Sequence, residues 1–305
     1  MATYLVTQAT GQQSQSVIAH LLAAGAKVHA VVRNPQKVPP ALEKQGVTIF
    51  KGESTNYEEV YQAARGCKGA FLNTFPWPGL ETQQAKTIVD ACEKAGVESL
   101  VVCTTFTVGN RAIWDDAATE EVGLRPYFLS KAEVEEIVRG AKFKAYTILR
   151  PSVLHTDFML PGVFGNFPGL PQGELDHACN DGVRLPYSDT YDVGKYAAAA
   201  LQDPVKFGGQ EIDLPNEYLT MEEVRDVLVK VSGRDVQVRQ QAPEEVEETK
   251  KTAPGMLFQI WANVKDFTTF VKTAKEAQTK FGIPFTPFEE AMKRDKARLL
   301  ECLPA

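Results

Sequence analysis

Tyr127 and Lys131 stand four residues apart in the stretch Tyr127-Phe128-Leu129-Ser130-Lys131. On a helix, that spacing puts the phenol and the ammonium on one face. An ammonium beside a phenol stabilises the tyrosinate and lowers the tyrosine pKa. Such a phenol can exchange a proton with a carbonyl or imine that undergoes hydride transfer. A bare Y-x-x-x-K spacing is common by chance, and its position after the fifth strand of an alternating chain is what makes it specific. Thr104 and Thr105 end that strand. Thr105 is a candidate to orient a substrate oxygen and Thr104 to meet a cofactor, although ordinary strand-end threonines are an equal alternative.

A second group of residues lies at the start of the chain. Thr7-Gln8-Ala9-Thr10-Gly11-Gln12-Gln13-Ser14 follows a short apolar run and opens a helical pattern. Strand, tight turn and helix in this order form a dinucleotide site, because the helix N-terminus offers N–H groups and partial positive charge to a pyrophosphate. The usual fingerprint has three glycines, and here only Gly11 remains, with Gln8 and Ser14 in the other two places. Thr7, Ala9, Thr10, Gly11, Gln12 and Gln13 are the predicted cofactor contacts of the turn. The next apolar run ends in Arg33, followed by Asn34 and Lys37, with no acid at its end. An acid there would bind ribose hydroxyls, whereas a base suits a 2′-phosphate, so Arg33, with Lys37 in support, predicts NADP(H). Asn73, Thr74 and Phe75 end the fourth run and should flank the cofactor. Glu53 ends the third and should meet its adenine end.

These groups need a sheet whose strands all end on one side. Apolar runs at 3–6, 28–32, 47–51, 69–73, 100–104 and 145–150 alternate with helical patterns at 57–65, 81–94 and 127–139. Short, nearly all-apolar strands separated by helices predict an α/β, Rossmann-type doubly wound parallel sheet, covered on both faces, with its ligand beyond the carboxyl ends. Residues 155–187 are rich in Gly, Pro and Phe and lack periodicity, which suggests a functional loop or small lobe. Regular patterns return at 192–202 and 211–214, and a capping box at Thr220–Glu223 opens a helix. The predicted organisation is a nucleotide-binding domain over 1–154, rejoined by 188–215, and a smaller, mainly helical substrate lobe over 155–187 and 216–305. Trp77, Phe106, Phe158, Met159, Phe164 and Trp261 are the predicted substrate contacts, with core packing of the lobe as the alternative reading. His155 and His177 fall in the irregular stretch, where a lone histidine usually sits at the surface.

Composition narrows the function. The 305 residues are 44% hydrophobic and carry a net charge of −6, which argues against a nucleic-acid surface. Five scattered cysteines without metal-like spacing read as reduced thiols in a cytoplasmic protein. No metal cluster is expected. A strand beginning by Thr3 leaves no room for a signal peptide, and no apolar run approaches the roughly 20 residues of a membrane span.

Together the motifs resemble the NmrA-like family of atypical short-chain dehydrogenases/reductases. The resemblance rests on Ala9-Thr10-Gly11-x-Gln13, Val32-Arg33-Asn34-Pro35, Gly52-Glu53, Ser130-Lys131-Ala132-Glu133-Val134-Glu135 and Leu149-Arg150-Pro151. It continues through Asp192-Val193-Gly194-Lys195, Leu201-x-Asp203-Pro204 and Leu219-Thr220-Met221-Glu222-Glu223, so it covers nearly the whole chain. It implies Thr10, Gly11 and Gln13 on the pyrophosphate, Arg33 on the 2′-phosphate and Lys131 on the nicotinamide ribose. It also implies either a redox sensor that binds NADP(H) and controls a partner protein, or a reductase. The second kind includes members of secondary metabolism that couple iminium reduction to cyclisation. Tyr127 favours an NADPH-dependent reductase of a bulky apolar or aromatic small molecule bearing a carbonyl, enone or iminium group, with no membrane or direct nucleic-acid partner. A cofactor-free scaffold is the third reading, resting on Gln8 and Ser14.

Overall fold

Strands that are apolar on both faces need helices on both sides, and the chain supplies them in alternation. The computed structural model describes residues 1–77, 79–267 and 270–305. Two compact units form: Met1–Gly109, Pro126–Arg150 and Thr190–Asp213 make the first, and Asn110–Arg125, Pro151–Asp189 and Leu214–Ala305 the second. The grouping of Asn110–Arg125 with the second unit departs from the boundaries drawn on sequence. Its physical cause is tertiary: Trp261 Nε1 donates to Thr119 Oγ1 at 2.8 Å, and Lys265 pairs with Asp116.

The sheet of the first unit contains β1 (Thr3–Val6), β2 (Lys27–Val32), β3 (Val47–Lys51), β4 (Gly69–Leu72), β5 (Ser99–Cys103), β6 (Ala145–Arg150) and β7 (Gln210–Asp213). Their spatial order is β7-β6-β5-β4-β1-β2-β3, all parallel. β1 therefore lies between β2 and β4, and the strand order reverses there. That reversal opens the crevice where ligands of such sheets bind. In register, Leu5 faces His29 on β2 and Ala70 on β4. Leu5, Leu72, Leu100, Val102 and Ile148 join Val60, Ile88, Val134 and Val138 of the covering helices in one core. On the opposite face the helices Gln12–Ala23 and Thr190–Gln202 touch closely. Gly194 permits this, since a Cβ there would come within 2.2 Å of Ser16 Oγ.

The second unit is more ordered than its sequence suggests. Within the stretch expected to be irregular, Leu185–Ser188 pairs in parallel with Val153–Leu154 and antiparallel with Glu217–Leu219. Glu174–His177 pairs in parallel with Gln237–Gln240. Thr220 and Glu223 form the predicted capping box of the helix Met221–Ser232, and Gly233 stops it in the left-handed conformation. Among the described residues, no helix is long and apolar enough to cross a membrane. All five cysteines are buried and free, and burial pushes the Cys67, Cys103 and Cys179 thiols up to about 12, which leaves them unreactive.

His155 and His177 are both buried, contrary to the surface position expected of loop histidines. His155 Nδ1 lies 3.0 Å from Asp189 and Nε2 2.8 Å from Asp295, while Arg294 bridges both carboxylates. Burial alone would lower the His155 pKa, but hydrogen bonds to Asp189 and Asp295 outweigh it and raise it. A raised histidine contributes stability that is complete below about pH 6.5 and is lost as pH climbs through the folded-state value. His155→Gln should therefore cost about 2 kcal/mol near pH 6, the scale of a hydrogen bond to a charged group. The gap to the parent should narrow toward pH 9, as thermal unfolding across that range would reveal.

Candidate functional site

The turn after β1 closes as a glycine turn would. Gln8 takes φ of 49°, the left-handed region that glycine occupies freely, and its carbonyl accepts from Gly11 N at 2.8 Å. Ser14 is buried and donates from Oγ to Thr7 O at 2.9 Å, so a small hydroxyl takes the place of the third glycine. The two departures from the fingerprint are thus accommodated: the first by backbone strain, the second by a hydrogen bond. Gly11 caps the helix Gln12–Ala23 without a side chain, and no acid stands in the first turn. Such an end is electropositive and suits an anion. Gln13 Oε1 is buried without a hydrogen-bond partner among the described residues.

Arg33 and Lys37 are exposed just past β2 and pair with no acid among the described residues. They present positive charge just beyond the carboxyl end of β2. Thr7 turns out to be structural: its hydroxyl lies 3.2 Å from the carbonyls of Phe71 and Asn73 and accepts from Asn73 N at 3.0 Å, tying the ends of β1 and β4. Ala9 is buried, whereas Thr10 and Glu53 are exposed. Gln12 and Gln13 are part-buried on the first turn of the helix.

The helix Arg125–Gly140 carries Tyr127, Ser130 and Lys131. Lys131 Nζ sits 5.6 Å from the centre of the Tyr127 ring, and Thr105 shares a hydrogen bond with the phenol. The sequence predicts a lowered tyrosine pKa, but the structure reverses the direction. Burial of the phenol raises it, and this outweighs the lowering by Lys131 and Thr105. A smaller rise comes from Glu81, in the first turn of the helix Leu80–Ala95. Its side chain is 1% exposed; Lys131 Nζ donates to Oε1 at 2.6 Å, Thr74 Oγ1 to Oε1 at 2.6 Å, and Ser130 Oγ to Oε2 at 2.9 Å. Burial would lower the Lys131 pKa, but Tyr127 and Glu81 raise it, so the lysine stays charged.

A model of the NmrA-like family matches residues 2–297. The chain belongs to the NmrA-like family. The NmrA-like family domain-containing oxidoreductase himF of Aspergillus japonicus is 26% identical over 258 residues, covering 78% of this chain and 76% of himF. The fold matches that of triphenylmethane reductase from Citrobacter sp., with a TM-score of 0.76 and 22% identity over 98% of this chain and 99% of the other. It also matches NmrA, a negative transcriptional regulator crystallised with NADP, with a TM-score of 0.73 and 22% identity over 99% and 96% of the two chains.

Several predicted contacts of this NmrA-like chain are placed differently by side-chain direction. Thr104 donates its hydroxyl to Glu135 Oε1 at 2.7 Å. Phe158 and Met159 are fully buried and Trp261 nearly so, and all three belong to the core of the second unit. The Phe158 ring stacks on Phe167 at 4.2 Å. Phe106 is also buried, whereas Trp77, Phe75 and Phe164 expose more than half of their surface. Asn73 is part-buried, with Oδ1 accepting from Thr74 N at 3.1 Å. Glu81 escaped the sequence reading, since an acid in the first turn of a helix is ordinary. So did Thr107, a buried β-branched residue at φ of 68° whose hydroxyl has no partner among the described residues. Such strain costs about 1–3 kcal/mol and clusters at functional sites.

Proposed function

We propose that this protein is an NADPH-dependent reductase of a bulky apolar substrate bearing a carbonyl, enone or iminium group. The observation that carries the reading is the phenol of Tyr127, hydrogen-bonded with Thr105 and set against Lys131. The name oxidoreductase given to relatives such as himF agrees with it. The shape and charge of the turn fit a dinucleotide: a helix end without a side-chain cap and, among the described residues, a Gln13 Oε1 without a partner and Arg33 and Lys37 without acidic partners. Gly11 and the first helical turn would hold the pyrophosphate, Arg33 and Lys37 the 2′-phosphate, and Lys131 the nicotinamide ribose. Bound there, NADPH supplies the hydride. Tyr127 holds the proton that the substrate receives, and Thr105 orients the phenol. The exposed rings of Phe75 and Trp77 support an apolar or aromatic substrate. A cytoplasmic place in secondary metabolism, with reduction coupled to cyclisation, is the narrower form of the proposal.

Calorimetric titration with NADPH, NADP⁺ and NADH tests the cofactor. Tight NADPH and weak NADH are expected, and no binding to any of them would leave only a scaffold. Arg33→Ser should weaken NADPH about 10–100-fold, the worth of charge-assisted hydrogen bonds, and leave NADH unchanged. The competing reading is an NADP(H)-binding sensor that regulates a partner protein. It uses the same turn and Arg33 but no proton donor, and a partner complex whose affinity follows the cofactor's redox state would favour it.

A further inference from the structure

Glu81 is a buried carboxylate that the proposed reaction does not require. It sits where three elements meet: the loop after β4 through Thr74, the first turn of the helix Leu80–Ala95, and the helix Arg125–Gly140 through Ser130 and Lys131. Taking a carboxylate and an ammonium out of water is expensive, and only good geometry with further hydrogen bonds offsets it. Glu81 has that geometry, with three donors within 2.9 Å spread over both oxygens. The pair therefore persists as an ion pair directly behind Tyr127, and Lys131 has one N–H committed to Glu81, which leaves its other two donors for a ribose.

We propose that Glu81 is a positioning residue that clamps Lys131 and offsets its charge, so that Tyr127 works as a neutral phenol beside a charge-neutral pair rather than as a phenolate beside a cation. The inference deepens the reductase reading and rests on it for its catalytic meaning. The charge argument itself concerns only this chain. Seen from the phenol, Lys131 stabilises the anion and Glu81 opposes it, and the two act in opposite directions on Tyr127. With the carboxylate 2.6 Å from the ammonium, the net field at the phenol is that of a short dipole instead of a full positive charge. Thr74 extends the clamp to the β4 rim, where Asn73 and Phe75 are the predicted cofactor neighbours.

The test is a pH titration of the cofactor-free protein labelled with [¹³Cζ]tyrosine, with the Tyr127 resonance assigned by its loss in Tyr127→Phe. In Glu81→Gln, Tyr127 should ionise at least one pH unit lower, a tenfold change in its ionisation constant. In Lys131→Met it should ionise higher. In Glu81→Gln/Lys131→Met it should return to within about half a unit of the parent, since the two opposing influences on the phenol are removed together. A folded Glu81→Gln in which Tyr127 does not move overturns the proposal, as does a double variant displaced as far as either single one. If Glu81→Gln does not fold, adding it to Lys131→Met must still lower the Tyr127 titration, and no change there overturns the proposal equally. Should the protein prove not to be a reductase, these titrations still decide the charge argument. If it does reduce a substrate, the alkaline limb of kcat/KM in Glu81→Gln should move down with the phenol.

Discussion

Replacing Tyr127 by Phe is expected to lower turnover by about 10²–10⁴-fold, the usual worth of a positioned general acid, while NADPH affinity stays unchanged. The phenyl ring keeps its edge contact with Phe128, at 5.4 Å between centroids, and its place against Lys131. Only the O–H is lost, together with its hydrogen bond to Thr105. Because burial raises the phenol's pKa above its ordinary value, Tyr127 stays protonated at neutral pH. A proton donor in that state falls to half of its full rate only above the ordinary tyrosine value of about 10. A phenolate-poised site would lose activity as a donor well below pH 10. Steady-state kinetics on a substrate that the parent reduces, with NADPH binding measured separately, check both statements. Full turnover in the variant would take the role from Tyr127 and leave a reductase with another donor.

Much of this architecture is written locally. Strands β1 to β6 follow from apolar runs, and the turn after β1 from residues that are neighbours in sequence. The Tyr127–Lys131 face follows from helical spacing alone. What the sequence hid depends on distant partners. Glu81 is 50 residues from Lys131, and His155 is 140 residues from Asp295. No local pattern marks either pair. The direction of the Tyr127 shift is hidden as well, because burial of the phenol, which outweighs the neighbouring cation, is set by tertiary packing, with Glu81 adding a smaller rise. Thr104 and Thr105 are adjacent and alike, yet one hydroxyl goes to Glu135 and the other to Tyr127. That difference belongs to side-chain packing. Nor does an aromatic-rich stretch reveal which of its rings are enclosed: Phe158 is buried while Phe164, six residues on, is exposed.

Glu135→Ala is expected to lower the unfolding free energy by about 3–5 kcal/mol, since it strands a buried guanidinium. Glu135 receives Arg150 in two parallel bonds, Nε to Oε1 at 2.8 Å and Nη2 to Oε2 at 2.7 Å, and also binds Arg139 and Thr104. Its side chain is 1% exposed and that of Arg150 7%. The Arg150 guanidinium lies against Gly109, where a Cβ would meet its central carbon at 2.5 Å. It also pairs with Glu211, but without Glu135 it would keep only that more exposed acid and Asp213. The Asp213 carboxyl is pushed up to about 6, chiefly by burial, with Arg150 pulling the other way and Glu135 adding to the rise. An acid raised in the fold adds stability at low pH that is lost as pH rises from about 4 through 6, so the parent should lose stability across that window. Asp213→Asn should remove this slope. Arg139→Ala, on the half-exposed side of the cluster, should cost no more than about 1 kcal/mol. Urea unfolding followed by circular dichroism at pH 7 separates the cases. A loss below about 1 kcal/mol in Glu135→Ala would mean that Glu211 and water replace the missing carboxylate, and the cluster would then not be what fixes the β5 and β6 ends beneath Thr104 and Thr105.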